Sequence, residues 1–341
     1  MQSSRFISVT FSTLAITLAF LFGFLGCDDK TVVFDDAKAL YHSVSGENAL
    51  KHVGEIVNFG PRPAGTEALE QSRGYIIAEL EKAGWEVQRQ SFDKPTPEGV
   101  ITFVNLRARF ASKAWDRKIT GLLCSHYETK KFGFPFVGAN DGGSSTGLLI
   151  ELAAVLAKKP SVAEQIELVF FDGEEAFGPN ITTTDGLYGS KYYAGEMILI
   201  PKNKRPEWGI VLDMVGDKNL NIQAAVQIPS SSIRELKKAE ESGHTVDIEK
   251  VKDKVEAMSR QLLLAASDLG VRSKIGISSQ FITDDHIPLN TGAGIPSIDL
   301  IDFDYGNYWH TPADTMDKLS AESLETVGRV TLLLIEKYLR H

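Results

Sequence analysis

ELVFFDGEEAFG, residues 167–178, runs from an unbroken apolar segment into Asp172, Gly173, Glu174 and Glu175. An apolar run with no polar alternation reads as a strand buried on both faces, and such strands belong to sheets covered by helices on both sides. Successive side chains of a strand point to opposite faces, so two adjacent glutamates cannot share a task on regular β structure. A glycine just before them lets the backbone turn where the strand ends, and both can then reach one site. The plain alternative is a pair of surface glutamates in a loop.

Working outward, further strands are expected from Trp85 to Phe92, at 100–110 (VITFVNLRARF), at 118–128 (KITGLLCSHYE), at 208–217 (WGIVLDMVGD) and at 294–303 (GIPSIDLIDF). Helical spacing marks a helix before the Pro/Gly loop NFGPRPAGT, a second one capped by Thr66 and ending near Gly84, a third at 144–159 (SSTGLLIELAAVLAKK) and a last one capped by Ser320. Residues 218–275, including SIRELKKAEESG and VEAMSRQLLLAASDLG, read as helical excursions between two core strands. Strands alternating with helices predict an α/β fold: a single domain with a central mixed, mostly parallel sheet flanked by helices on both faces.

The chain of 341 residues is 43% apolar and 24% charged, which is globular material with enough length for a substantial core. Its formal charge of -9, with no Lys/Arg cluster, predicts no nucleic-acid partner. Residues 1–26 carry one charged side chain, Arg5, and a long apolar run, and read as an export leader. The ending GFLGC resembles the bacterial lipoprotein signal, in which Cys27 is lipidated and becomes the mature N-terminus. That resemblance implies an exported envelope protein on the periplasmic side, touching the membrane only through a lipid anchor at Cys27. An uncleaved anchor and ordinary secretion are the alternatives. Residues 27–45 read as a tether and 46–341 as the folded domain. The chain has two cysteines, Cys27 and Cys124, so a lipidated Cys27 leaves no intramolecular disulfide and stability rests on the core.

In open α/β sheets a ligand binds off the carboxyl ends of the strands, so the residues just past each apolar run are informative. His126, Tyr127 and Glu128 follow one strand, and Asp141 stands before the third helix. Asp172, Glu174 and Glu175 follow the strand quoted above, and Asp213 sits within IVLDMVG. Asp284, Asp285 and His286 precede the last strand, with Trp309 and His310 beyond it. Singly, each is more often a cap or a satisfied structural group. Together they form a set of imidazoles and carboxylates suited to zinc. One glutamate of the pair can bind metal while its neighbour, unbound, serves as the proton-transferring group beside it.

The order His126, Asp141, Glu174-Glu175, Asp213, His310 resembles the zinc aminopeptidase superfamily, peptidase family M28. The blocks CSHYETK, FVGANDGG, FFDGEEAF, DGLYGSKYYA, LDMVG, DDHIP and YWHTPADTMDKL resemble its glutaminyl-peptide cyclotransferase branch, over residues of about 50 to 341. The resemblance implies that Asp141, Glu175 and His310 hold one zinc ion and that Glu174 is the acid/base. It also implies that Asp213 and Asp284 form a carboxylate network beside Glu174, and that Trp309 walls the substrate pocket. The implied reaction converts the N-terminal Gln of a peptide or protein to pyroglutamate with release of ammonia. The alternative is a zinc aminopeptidase with two zinc ions, the second held by His126 and Asp213 with Asp141 bridging. A third reading, a binding protein that has lost the chemistry, is disfavoured because no ligand position is missing. This chain departs from the branch in having GPNITTT where a pocket Trp is usual, Asp299 where a His often stands, and Cys124 without a second cysteine to pair with it.

Overall fold

The computed structural model describes residues 34–111, 114–229, 246–304 and 306–340. The leader 1–26, Cys27 and the stretch SIRELKKAEESG lie outside the described residues. Strands β1 (Trp85–Thr96) and β2 (Gly99–Phe110) form a long antiparallel hairpin, and the carboxyl half of β2 pairs antiparallel with β4 (Ile166–Phe171). β4 then runs parallel to β3 (Gly121–His126), β3 to β5 (Trp208–Asp213) and β5 to β8 (Ser297–Ile301). The sheet order is β1-β2-β4-β3-β5-β8. From β3 the chain crosses first to a neighbour on one side and then to a neighbour on the other. That reversal opens a crevice at the carboxyl ends of the parallel strands.

The helices start where a side chain accepts one of the amides that the first turn leaves free. Ser45 caps α1 (Gly46–Asn58) through Asn48 N, and Thr66 caps α2 (Glu67–Lys82) through Leu69 N. Next come α3 (Ser145–Leu156), the single turn α4 (Pro160–Ala163) and α5 (Tyr188–Met197). Asp247 caps α6 (Ile248–Asp268), α7 is the turn His286–Pro288, and Ser320 caps α8 (Ala321–Leu333). Alternate residues of the parallel strands serve two cores. Leu123, Leu168, Phe170, Ile210, Leu212, Ile298 and Leu300 pack on the side of α1, α3, α6 and α8. Leu122, Cys124, Val169, Phe171 and Val211 pack with Tyr193 and Met197 of α5 and with Leu289 and Ala293. Burial on both faces is why these strands are continuously apolar in sequence. Among the described residues no helix is long and apolar enough to cross a membrane.

Two expectations are corrected. Residues 34–45 are no tether: Ala39, Leu40, Tyr41 and Val44 are buried in the larger core, and Leu40 N donates to Glu336 Oε2 at 2.6 Å. This stretch forms two short 3₁₀ turns, whose apolar spacing follows neither the helix nor the strand period. The region 218–275 is not wholly helical, because β6 (Ile222–Ala224) and β7 (Ile275–Ile277) form a separate parallel pair. Three-residue strands are too short to show alternation.

Candidate metal centre and active site

The residues singled out in sequence come together at the carboxyl ends of β3, β4, β5 and β8. His126 is the last residue of β3 and Asp213 the last of β5. Asp141 lies in an irregular turn just before α3, with φ -81° and ψ 102° inside an otherwise helical stretch. The next residue, Gly142, has φ 80°, and a Cβ there would stand 2.6 Å from Glu128 O. After β4 the chain turns at Gly173, with φ 75°, where a Cβ would lie 2.4 Å from the Phe103 ring. Through that turn Glu174 and Glu175 both enter one cavity, shared with Asp141, Asp213, Asp284, Trp309 and His310. The cavity measures about 260 Å³. A larger hollow of about 350 Å³, at the amino ends of β3, β5 and β8, contains none of these residues.

At the cavity and just behind it the donor atoms form two adjoining clusters. His310 Nε2 lies 3.2 Å from Asp141 Oδ2 and 3.2 Å from Glu175 Oε1. His126 Nε2 lies 3.3 Å from Asp141 Oδ1 and 3.1 Å from Asp213 Oδ1. A ring nitrogen carries at most one proton, so it can make a good hydrogen bond to only one of two equidistant carboxylates. Both separations suit a shared cation, since tetrahedral zinc with bonds of about 2.0–2.1 Å holds its donors about 3.3 Å apart. Imidazole nitrogens and carboxylate oxygens are also the donor types that zinc takes. The residues therefore fit the ion. Asp141 offers one oxygen to each cluster.

The charges explain the titration of the site. Burial lowers the affinity of His310 for a proton, but Asp141 and Glu175 overcome it and raise its pKa to about 9. Burial is likewise outweighed at His126, which Asp141, Asp213 and Glu128 push well above the usual imidazole value. Glu174 is raised well above the carboxylate range by burial and then by Asp284; Asp284 is raised in turn by burial, Asp213 and Asp285. Neighbouring buried carboxylates cannot all ionise, so at least one of them keeps its proton.

Several groups that position the site were given no role from sequence, although Glu128 was noted at its strand end. Asp314, four residues after His310, accepts hydrogen bonds from Asn140 N at 2.7 Å and Asp141 N at 3.1 Å. Glu128 accepts from Glu175 N at 3.0 Å and places Oε2 3.7 Å from His126 Nδ1, so one carboxylate touches both halves of the centre. Arg62 of the GPRPAG loop is fully buried and donates to the carbonyls of Tyr127, Val137 and Gly138. Lys130 Nζ reaches Glu175 Oε2 at 3.3 Å and donates to Ala176 O at 2.6 Å. Motif position alone marks Asp314 and Arg62, because both act on backbone atoms. Where the branch has a pocket Trp, Pro179, Asn180 and Ile181 line the cavity. Asp299 is buried behind it, neither oxygen hydrogen-bonded among the described residues, with Oδ2 3.7 Å from His286 Nδ1. Cys124 is a buried free thiol whose pKa burial pushes up.

Comparison with known proteins agrees with this geometry. The family model described as Peptidase family M28 matches residues 105–335. The glutaminyl-peptide cyclotransferase-like protein of Mus musculus is 30% identical over 298 residues, 82% of this chain and 72% of the relative. The glutaminyl-peptide cyclotransferase of Dictyostelium discoideum is 28% identical over 333 residues, 88% of this chain and 86% of the relative. Among solved structures, the Porphyromonas gingivalis glutaminyl cyclase superposes with a TM-score of 0.71 at 26% identity, covering 86% of this chain and 98% of that one. A Zn-dependent exopeptidase from Parabacteroides distasonis superposes with a TM-score of 0.67 at 27% identity, with the same coverage. The chain thus belongs to peptidase family M28, in its glutaminyl-peptide cyclotransferase-like branch.

Proposed function

We propose that this chain is a zinc-dependent glutaminyl-peptide cyclotransferase acting on the N-terminal Gln of peptides or proteins, with pyroglutamate and ammonia as products. The observation that carries this reading is the placement of Glu174. It is covalently next to the candidate ligand Glu175, buried, in the field of Asp284, and open to the cavity that Trp309 lines. A zinc ion held by Asp141, Glu175 and His310 supplies Lewis-acid polarisation of the substrate's γ-carbonyl. The acidic cavity attracts the substrate's N-terminal amine. Glu174 takes a proton from that amine as its nitrogen bonds to the side-chain carboxamide carbon, Cδ, and returns the proton to the amide nitrogen as the Cδ–N bond breaks and ammonia leaves. Asp284 and Asp213 keep one proton between them and Glu174, so the acceptor stays poised for transfer instead of fully ionised. Trp309, 42% exposed and stacked on the His310 ring at 4.0 Å, forms an apolar wall for the glutamine side chain.

A zinc aminopeptidase is the second reading. It is favoured by the cluster His126, Asp141 and Asp213, which offers a second ion three donors. Zinc per chain, measured with ammonia release from an N-terminal Gln peptide and amino-acid release from a neutral aminoacyl amide, separates the two. One zinc with ammonia and pyroglutamate supports the cyclotransferase. Two zincs with free amino acids refute it.

A further inference from the structure

A zinc-bound imidazole is ordinarily held in plane by a hydrogen bond from its other ring nitrogen to a carboxylate or carbonyl. Glu128 at least faces that nitrogen of His126, its Oε2 3.7 Å from Nδ1 and beyond hydrogen-bond length. His310 has no counterpart: among the described residues the hydrogen bond of its ring is that of Nε2, on the side of Glu175. It is also the least supported of the candidate ligands. Its side chain is 18% exposed against 5% for Asp141 and 7% for Glu175. It lies on the connection between β8 and α8 and has φ 53°, in the left-handed region that a non-glycine residue rarely occupies.

Aromatic rings surround this imidazole instead. Trp309 stacks on it at 4.0 Å and 22°. Phe132 meets it edge-on at 5.3 Å and 66°, and Phe136 at 5.9 Å and 84°. Phe132 is itself held by Phe136 at 5.2 Å, edge-on, and by Phe134, stacked at 4.8 Å. The loop that carries these three phenylalanines is fixed at its base by Arg62, through Val137 O and Gly138 O, and on its flank by Lys131, paired with Glu98 at 2.5 Å. Edge-on and stacked pairs have preferred orientations, so such a ring of contacts defines a plane as a hydrogen bond does.

We propose that Phe132, backed by Phe136 and Phe134, is a positioning residue for His310: an aromatic collar sets the imidazole plane that a hydrogen-bond acceptor sets at other zinc sites. This rests on the reading of His310 as a zinc ligand. The test is zinc affinity by chelator competition, with the melting temperature of the metal-free protein, for the unmutated protein and for F132A, F132Y and H310A. Phe132 is only half-buried, so F132A should keep the metal-free melting temperature while losing zinc affinity by about tenfold or more, the range seen when support behind a ligand is removed. F132Y, which keeps the ring, should restore the affinity. A folded F132A with unchanged affinity overturns the collar, as does an F132Y as weak as F132A. If H310A binds zinc undiminished, the ligand reading fails and takes the collar with it. A lost site in H310A beside an unaffected F132A refutes the collar alone.

Discussion

Removing the carboxylate of Asp314 tests whether the backbone around Asp141 is held as the structure shows. Asp314 is fully buried, and its two oxygens take the amides of Asn140 and Asp141 at 2.7 and 3.1 Å. D314A leaves both amides without an acceptor, and each orphaned buried group costs about 1–3 kcal/mol, so about 2–4 kcal/mol is expected once some water enters the space. D314N can still accept one of the two bonds but turns an NH₂ toward the other, for about 1–2 kcal/mol. In urea unfolding of chelator-treated protein, with a slope of about 3 kcal/mol/M, D314A should lower the midpoint by about 1 M and D314N by less. Asp141 is the donor shared by both clusters, so zinc affinity should fall in the same order. Midpoints and affinities equal to those of the unmutated protein in both variants would show that another group holds this turn.

The two glutamates should separate cleanly. E175A loses zinc together with activity, whereas E174Q keeps zinc and loses turnover by about 100-fold or more; zinc analysis beside turnover reads both, and a folded E174Q without metal would mean the roles are reversed. H126A distinguishes one ion from two: with a single zinc on Asp141, Glu175 and His310 substantial activity remains, while with a bridged pair activity vanishes and one zinc per chain is lost. Zinc binding should also release protons. His310 in the metal-free protein keeps its proton up to pH of about 9 and must give it up to bind metal, so affinity should rise with pH across neutrality, as calorimetry in buffers of different ionisation heat would show. The same raised pKa means that the protonated His310 stabilises the metal-free fold most fully below its ordinary value of 6.5, and that this contribution fades as pH climbs through about 9.

How much was legible depended on whether a residue acts through its own side chain in a local pattern. The run ending in Phe171 announced a doubly covered strand because both of its faces meet apolar partners. Thr66 and Ser320 announced helix starts because capping is settled within four residues. His126, Asp141, Glu174, Glu175, Asp213 and His310 could be singled out because strand ends collect functional groups, and the structure gathers all six. Arg62 and Asp314 escaped notice, and Glu128 was noted without its role, because they act on amides and carbonyls far along the chain, which leave no mark in residue type. The segment 34–45 misleads for a related reason. Its buried side chains answer to the shape of the core and follow no period of their own.

The turn at Gly173 has a consequence for motion. Placing a candidate ligand and the proposed proton carrier on consecutive residues ties them by one peptide unit, about 3.8 Å between α-carbons, which thermal fluctuation cannot stretch. Where two such groups sit on different elements, breathing of the sheet or drift of a loop varies the gap between them. Here a displacement of the end of β4 carries both glutamates together, and the peptide plane leaves them only the ψ of Glu174, the φ of Glu175 and side-chain rotation as relative freedom. What has to stay rigid is thereby reduced to a single bend, and Phe103 already packs against the glycine that makes it.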